Sequence, residues 1–270
     1  MHAAICLTRL FTSLAAALLV ACTASTPPAP VAPAGPAPET VEAAIVEAFA
    51  ALQRPDIDDP YEDLFLNLAH RRFGRGEAAT AKADYAMKAT EPPQPDKRLM
   101  ARLGDATVPF EPAAIATIER SNSNRGLLEA MYCKEQPIPA SYVDYARDAI
   151  SKGGYDLTHV LSGYAFAKEA GCAYPLPPEE VEEMVQATAA MLPGTGMTDL
   201  QLEAALMLCW TDRRELLPPD LAARILSVRW KNGAWGQTPT SKVADGHATM
   251  LALNLLLELT AKPRGPVVAR

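Results

Sequence analysis

Three observations predict an all-α chain built from αα-hairpin repeats. The composition is 49 % apolar but only 6 % aromatic; Ala, Leu, Glu and Met abound and runs of Val, Ile and Thr are rare, which favours helix over sheet. Cys133, Cys172 and Cys209 are each followed within a few residues by prolines, at Pro137 and Pro139, at Pro175, Pro177 and Pro178, and at Pro218-Pro219. The aspartates Asp156, Asp199 and Asp245 follow one another at about 43 and then 46 residues. Such a period denotes stacked hairpins, each unable to bury its apolar face alone.

The first segment, 1–21, is a leader rather than part of the fold. Arg9 precedes an apolar run from Leu10 to Ala21, and about twelve residues are too few to span a bilayer of about 30 Å, which needs roughly twenty. Leu19-Val20-Ala21-Cys22 resembles the bacterial lipobox, and the resemblance implies cleavage before Cys22 and lipid attachment to it, palmitate included. Thr23 rather than Asp follows the cysteine. In that family this implies an outer-membrane lipoprotein facing the periplasm, held to the membrane by acyl chains worth about 0.8 kcal/mol per buried methylene.

Residues 22–38 read as a tether. Thr26 to Pro38 contains almost nothing but Pro, Ala, Val and Gly. Proline removes backbone donors and small side chains bury little, so the stretch reaches some 40–50 Å as polyproline II at about 3.1 Å per residue.

Residues 39–262 form the helical repeat domain, long enough for a substantial core. An early helix is expected over Tyr61–Arg72. The repeat unit is a proline, an outer helix, a turn, and an inner helix ending near a cysteine. Pro112 opens a short version, with helices over Ala113–Arg120 and Arg125–Cys133. Pro139 opens Ser141–Ser151, Gly153-Gly154-Tyr155-Asp156 turns the chain, and His159–Gly171 follows. Pro177-Pro178 opens Glu179–Met191, then Gly194 to Asp199 leads into Leu200–Cys209. Pro218-Pro219 opens Asp220–Trp230, and a longer loop ends at Asp245-Gly246 before His247–Leu259. Proline is tolerated at a first helical position, glycine supplies the left-handed turn, and aspartate caps the next helix. Asp156, Asp199 and Asp245 are therefore expected first as N-caps. Residues 263–270 are expected as a disordered tail.

A hairpin repeat carrying Asn232-Gly233-Ala234-Trp235-Gly236 before Asp245-Gly246-His247-Ala248-Thr249 resembles the α/α-toroid of terpenoid cyclases and protein prenyltransferases. Gly153 to His159 resembles a second copy. The likeness covers about Pro139 to Leu259 and implies an open or incomplete toroid, with functional groups at the N-terminal ends of inner helices round a central cavity. It places His247 at the metal-binding histidine of prenyltransferase β-subunits and Asp199 at their aspartate ligand. The family's cysteine is absent: Gln201 stands two residues after that aspartate. Asp56-Ile57-Asp58-Asp59 matches the D-x-D-D of class II cyclases, but its place between Pro55 and Pro60 reads as a solvated acidic loop. Gly74 to Ala86 resembles part of a tetratricopeptide repeat, without a 34-residue period to continue it.

His159 and His247 open equivalent inner helices. With Asp156, Asp199 and Asp245 they are the candidate lining of one end of the cavity, joined by Trp235. Two imidazoles and a carboxylate suit Zn²⁺ with a polarised water, so His159, His247 and Asp199 are the candidate metal ligands. The same histidines also suit a helix cap, a polar groove or metal-free acid–base work. Trp230, Trp235 and Tyr155 read as packing between repeats. The cysteines read as buried free thiols, because equivalent positions on neighbouring helices about 8–10 Å apart exceed the roughly 7 Å limit for a disulfide.

The net charge is −7 with no basic cluster, which argues against nucleic acid and anionic lipid headgroups as partners. No Gly-x-Ser-x-Gly, phosphate loop, Cys-x-x-Cys or His-Glu-x-x-His occurs. The leading expectation is binding of a ligand or protein partner on a concave face, without a cofactor. Its rival is a metal-dependent hydrolase of an envelope glycan or peptide, using His159 and His247.

Overall fold

The computed structural model describes residues 35–54, 56–57, 62–76, 95–104, 106–194 and 196–269. The leader, Cys22, most of the tether, Asp58-Asp59 and residues 77–86 lie outside them. Every regular element among the described residues is helical, apart from one isolated bridge between Trp235 and Asp245. Among these residues no helix is long and apolar enough to cross a membrane.

The helices are α1 (Pro38–Leu52), α2 (Glu62–Phe73), α3 (Pro95–Met100), α4 (Pro112–Thr117), α5 (Ser123–Met131), α6 (Ser141–Lys152), α7 (Gly154–Ala170), α8 (Pro178–Ala189), α9 (Asp199–Trp210), α10 (Leu221–Ser227) and α11 (Gly246–Thr260). Short 3₁₀ turns follow α3 at Ala101–Leu103 and precede α10 at Arg214–Leu216. The expected hairpins are present: α6 packs on α7, α8 on α9 and α10 on α11. Prolines stand at the first turn of α1, α4 and α8, where a missing N–H costs nothing.

The inner helices are neighbours in order: α5 packs on α7, α7 on α9, α9 on α11, and α11 on α2. The α3 segment and its 3₁₀ turn touch α2 on one side and α5 on the other. Matching positions of adjacent inner helices bond across the interface, Tyr155 with Asp199, Thr158 with Glu203 and Ser162 with Met207, at separations of 44, 45 and 45 residues. Helices α7 and α9 therefore run parallel and in register. Gly163 permits their close assembly with α5, because a Cβ there would lie 3.0 Å from that of Ala130. The inner helices α9 and α11 are apolar along nearly their whole circumference and bury almost every residue. The outer helices α6 and α8 bury one stripe, Tyr142, Ala146 and Ala149 in α6 and Met184, Val185 and Thr188 in α8, as expected for a surface layer.

Four expectations are corrected. Cys133 and Cys172 form a disulfide with Cα atoms 6.2 Å apart, and only Cys209 of these three is a buried free thiol. The helix-spacing argument fails because both half-cystines lie just beyond the ends of α5 and α7, where loops bring them together. Burial, and next the charge of Glu258, push the Cys209 thiol up to about 12. Second, α7 starts at Gly154 rather than His159; Gly153 and Gly154 both take positive φ, near 70° and 68°, so the chain passes from α6 into α7 with one residue between them. Asp156 is consequently inside the first turn. Third, Thr198 caps α9 through a capping box with Gln201, leaving Asp199 as the first helical residue; among the three aspartates only Asp245 is an N-cap, accepting from Ala248 N at 2.8 Å.

Fourth, the C-terminal segment is packed, not a disordered tail. Val267 and Val268 are buried, Val267 N donates to Glu169 at 2.8 Å, and Arg71 donates to the carbonyls of Pro266 and Val267. Beside it, the fully buried Glu258 of α11 accepts from Arg72 and Arg214, each at 2.6 Å, so the carboxylate has a guanidinium on each oxygen.

Candidate functional site

A cavity of about 300 Å³ lies among the inner helices, and each of α2, α5, α7, α9 and α11 contributes to its wall, together with Met100 and Leu103. Register explains its polarity. The first turns supply Ser123 and Asn124 of α5, Tyr155 of α7 and His247 of α11, with His159 and Glu203 from the second turns of α7 and α9. One or two turns further along the same helices stand Leu127, Phe166, Met207, Trp210, Met250 and Leu251, with Phe65 from α2. The result is an apolar chamber with a polar end. Trp210 packs against Phe65 and Phe166 at ring separations of 6.5 and 6.0 Å.

Two carboxylates organise the polar end. Asp199, 5 % exposed, accepts from the Tyr155 hydroxyl at 2.5 Å and from His247 Nδ1 at 2.8 Å. Burial, and then the bond to Asp199, hold the Tyr155 phenol well above its ordinary pKa, so the hydroxyl remains a donor. Because an ionised carboxylate only accepts, the Nδ1 of His247 carries a proton toward Asp199. Glu203, 3 % exposed, accepts from Thr158 Oγ1 at 2.5 Å through Oε1, with His159 Nε2 at 3.4 Å from the same oxygen. Its other oxygen, Oε2, is buried without a hydrogen-bond partner and lies 3.8 Å from His247 Nε2, beyond hydrogen-bond range. His159 Nδ1 is likewise buried without a partner.

Among the expected site residues, His159 and His247 line the same cavity. Asp199 touches the site through Tyr155 and His247. Asp245 is occupied as a cap and accepts from Gln237 Nε2 at 3.0 Å. Asp156 and Trp235 do not line the cavity. Trp235 is 1 % exposed and its indole N–H bonds Ile225 O at 2.9 Å, which is a packing role. Tyr155, expected as packing, is instead 43 % exposed and part of the lining.

The expected ligand set of His159, His247 and Asp199 is not assembled as such, since Asp199 grips Nδ1 of His247 and the carboxylate facing both rings is Glu203. Asp199, Asp245 and His247 do bring donor atoms within 4.8 Å of one another. Their polar contacts are those of a cap and a hydrogen-bonded pair. Glu203 escaped the sequence reading because it carries no motif; its signal was a lone acid in the otherwise apolar run Leu202 to Trp210, one turn after Asp199.

The chain matches no family model, no curated protein and no solved structure.

Proposed function

We propose that this chain is a lipid-anchored binding protein of the bacterial outer membrane, facing the periplasm, whose helical domain takes a small, largely apolar ligand into the inner-helix cavity. The observation that carries the reading is the cavity itself: about 300 Å³ with apolar walls and a few polar groups gathered at one end, the usual make-up of a small-molecule site. Its size fits a small molecule better than a protein segment. Cys22 and the Pro/Ala-rich tether support placement at a membrane, and the likeness to α/α-toroid proteins supports reading α5, α7, α9, α11 and α2 as inner helices round a cavity.

The test is occupancy. The neutral probe N-phenyl-1-naphthylamine should bind one per chain with enhanced fluorescence, and Leu251→Trp, which fills the chamber, should abolish the signal while leaving the circular dichroism unchanged. Equal binding by the folded variant would refute the reading. The anchor is tested by Cys22→Ser, which should no longer label with palmitate or remain with membranes after carbonate washing.

A second reading, a metal-dependent envelope hydrolase, is favoured by one observation. His159 and His247 approach the two oxygens of Glu203 at 3.4 and 3.8 Å, near the spacing of donors about 2.0–2.2 Å from a shared ion. Stoichiometric zinc in protein purified without added metal, lost in both His159→Ala and His247→Ala, would establish it.

A further inference from the structure

The shape of the ligand follows from the register of the inner helices. Tyr155 of α7 bonds Asp199 of α9, 44 residues away, and Phe166 packs on Trp210 at the same offset. The half-exposed Tyr155 and the buried Trp210 therefore mark two levels of one chamber, a polar mouth and an aromatic floor. From Tyr155 to Phe166 the helix advances about 16 Å. Leu127, Met207, Met250 and Leu251 make the wall between. Ser162, at the same depth, already donates to Thr158 O at 2.8 Å, so this stretch offers a ligand only apolar contact.

The volume limits what lies there. About 300 Å³ takes roughly ten groups at about 30 Å³ for each water-sized one, enough for one short hydrocarbon chain and too little for the pair carried by a diacyl lipid. The floor limits it again. Trp210, 5 % exposed and clasped by Phe65 and Phe166, lines the chamber on one side and a second cavity of about 690 Å³ on the other. That second cavity is charged, with Arg72, Lys168, Glu169, Asp212 and Arg214 in its wall. Among the described residues Trp210 alone belongs to both linings, so its indole is the partition at which apolar surroundings stop.

We propose that the chamber takes a single unbranched alkyl chain, polar end at the Tyr155 mouth and methyl end against Trp210, and that Trp210 sets the longest chain accepted. Each methylene buried above the floor is worth about fourfold in affinity; methylenes beyond about the tenth find no apolar wall. The proposal rests on the cavity being the binding site.

Neutral alcohols provide the test, since a hydroxyl both donates and accepts. Of the chain's three tryptophans only Trp210 lines the chamber, and bromine quenches an indole only near contact. The full-length protein is held in a bulky steroid detergent, and occupancy is matched by displacement of N-phenyl-1-naphthylamine. There 8-bromo-octan-1-ol should quench tryptophan emission more than 2-bromo-octan-1-ol, and the difference should vanish in Trp210→Phe. Trp210→Ala joins the two cavities, so the affinity of tetradecan-1-ol relative to octan-1-ol should rise at least tenfold over the parent in the same detergent. Equal or stronger quenching by the 2-bromo isomer would overturn the proposal, as would an unchanged chain-length ratio in folded Trp210→Ala. If that variant does not fold, the two bromo-alcohols on the unaltered chain still decide. Binding of both isomers without a positional difference would sink this inference alone, whereas failure of every alcohol and of the naphthylamine probe to bind would sink the cavity reading with it.

Discussion

His247 Nδ1 lies 2.8 Å from the carboxylate of Asp199, joining the first turns of two inner helices 48 residues apart in sequence. The same carboxylate takes the Tyr155 hydroxyl, so one side chain of α9 fastens α7 and α11 together at the polar end of the cavity.

Asp199→Ala should therefore destabilise the domain by about 1–3 kcal/mol, since it leaves two donors without an acceptor in a largely buried place. Tyr155→Phe removes only one neutral donor and should cost about 0.5–1.5 kcal/mol. Urea denaturation followed by circular dichroism measures both. A Tyr155→Phe loss exceeding that of Asp199→Ala would contradict the arrangement.

The Cys133 to Cys172 bridge closes a separation of 39 residues. Chain entropy predicts about 4 kcal/mol for a loop of that length, within the usual range of 2–5 kcal/mol. The paired Cys133→Ser, Cys172→Ser variant should lose that amount. A non-reducing digest should recover peptides carrying these two cysteines as one linked species; finding both as free thiols would exclude the bridge.

The packed C-terminus yields a third expectation. Ending the chain after Arg264 exposes the sites of Val267 and Val268, each worth about 1.5–3 kcal/mol when fully buried, and strips Glu169 of two backbone donors. A loss of about 3–6 kcal/mol should appear as a lower urea midpoint. An unchanged midpoint would show that the segment contributes nothing.

On the outer surface, hydrogen bonds from Arg213 first and then from Gln186 hold the Glu182 carboxyl down to about 2, against an ordinary 4.5. Since the folded value is depressed, the pair's contribution is present above about pH 4.5 and is lost as the pH falls toward 2. Side-chain NMR should find the Glu182 midpoint near 2 in the parent and raised toward, but still below, 4.5 in Arg213→Ala, where the bond from Gln186 remains. A parent midpoint already at 4.5 would mean that the pair is not populated in solution.

The helical class, the hairpin units and the shared cavity of His159 and His247 were legible in the chain itself, although His247 stands in the first turn of α11 and His159 only in the second turn of α7. They depend on composition, on proline and glycine at element ends, and on a period near 44 residues, all of which act between covalent neighbours or repeat along the sequence. Asp245 was likewise readable as a cap because its partner, Ala248, is three residues away. Asp199 was not, because Thr198 won the capping position through its box with Gln201, freeing the aspartate to turn toward Tyr155 and His247. Glu203, the disulfide and the seat of Val267 depended on which helices become neighbours and at what register. Those separations are fixed by side-chain packing between distant segments, so only the tertiary structure decided that an isolated glutamate in an apolar helix would face two histidines across a cavity.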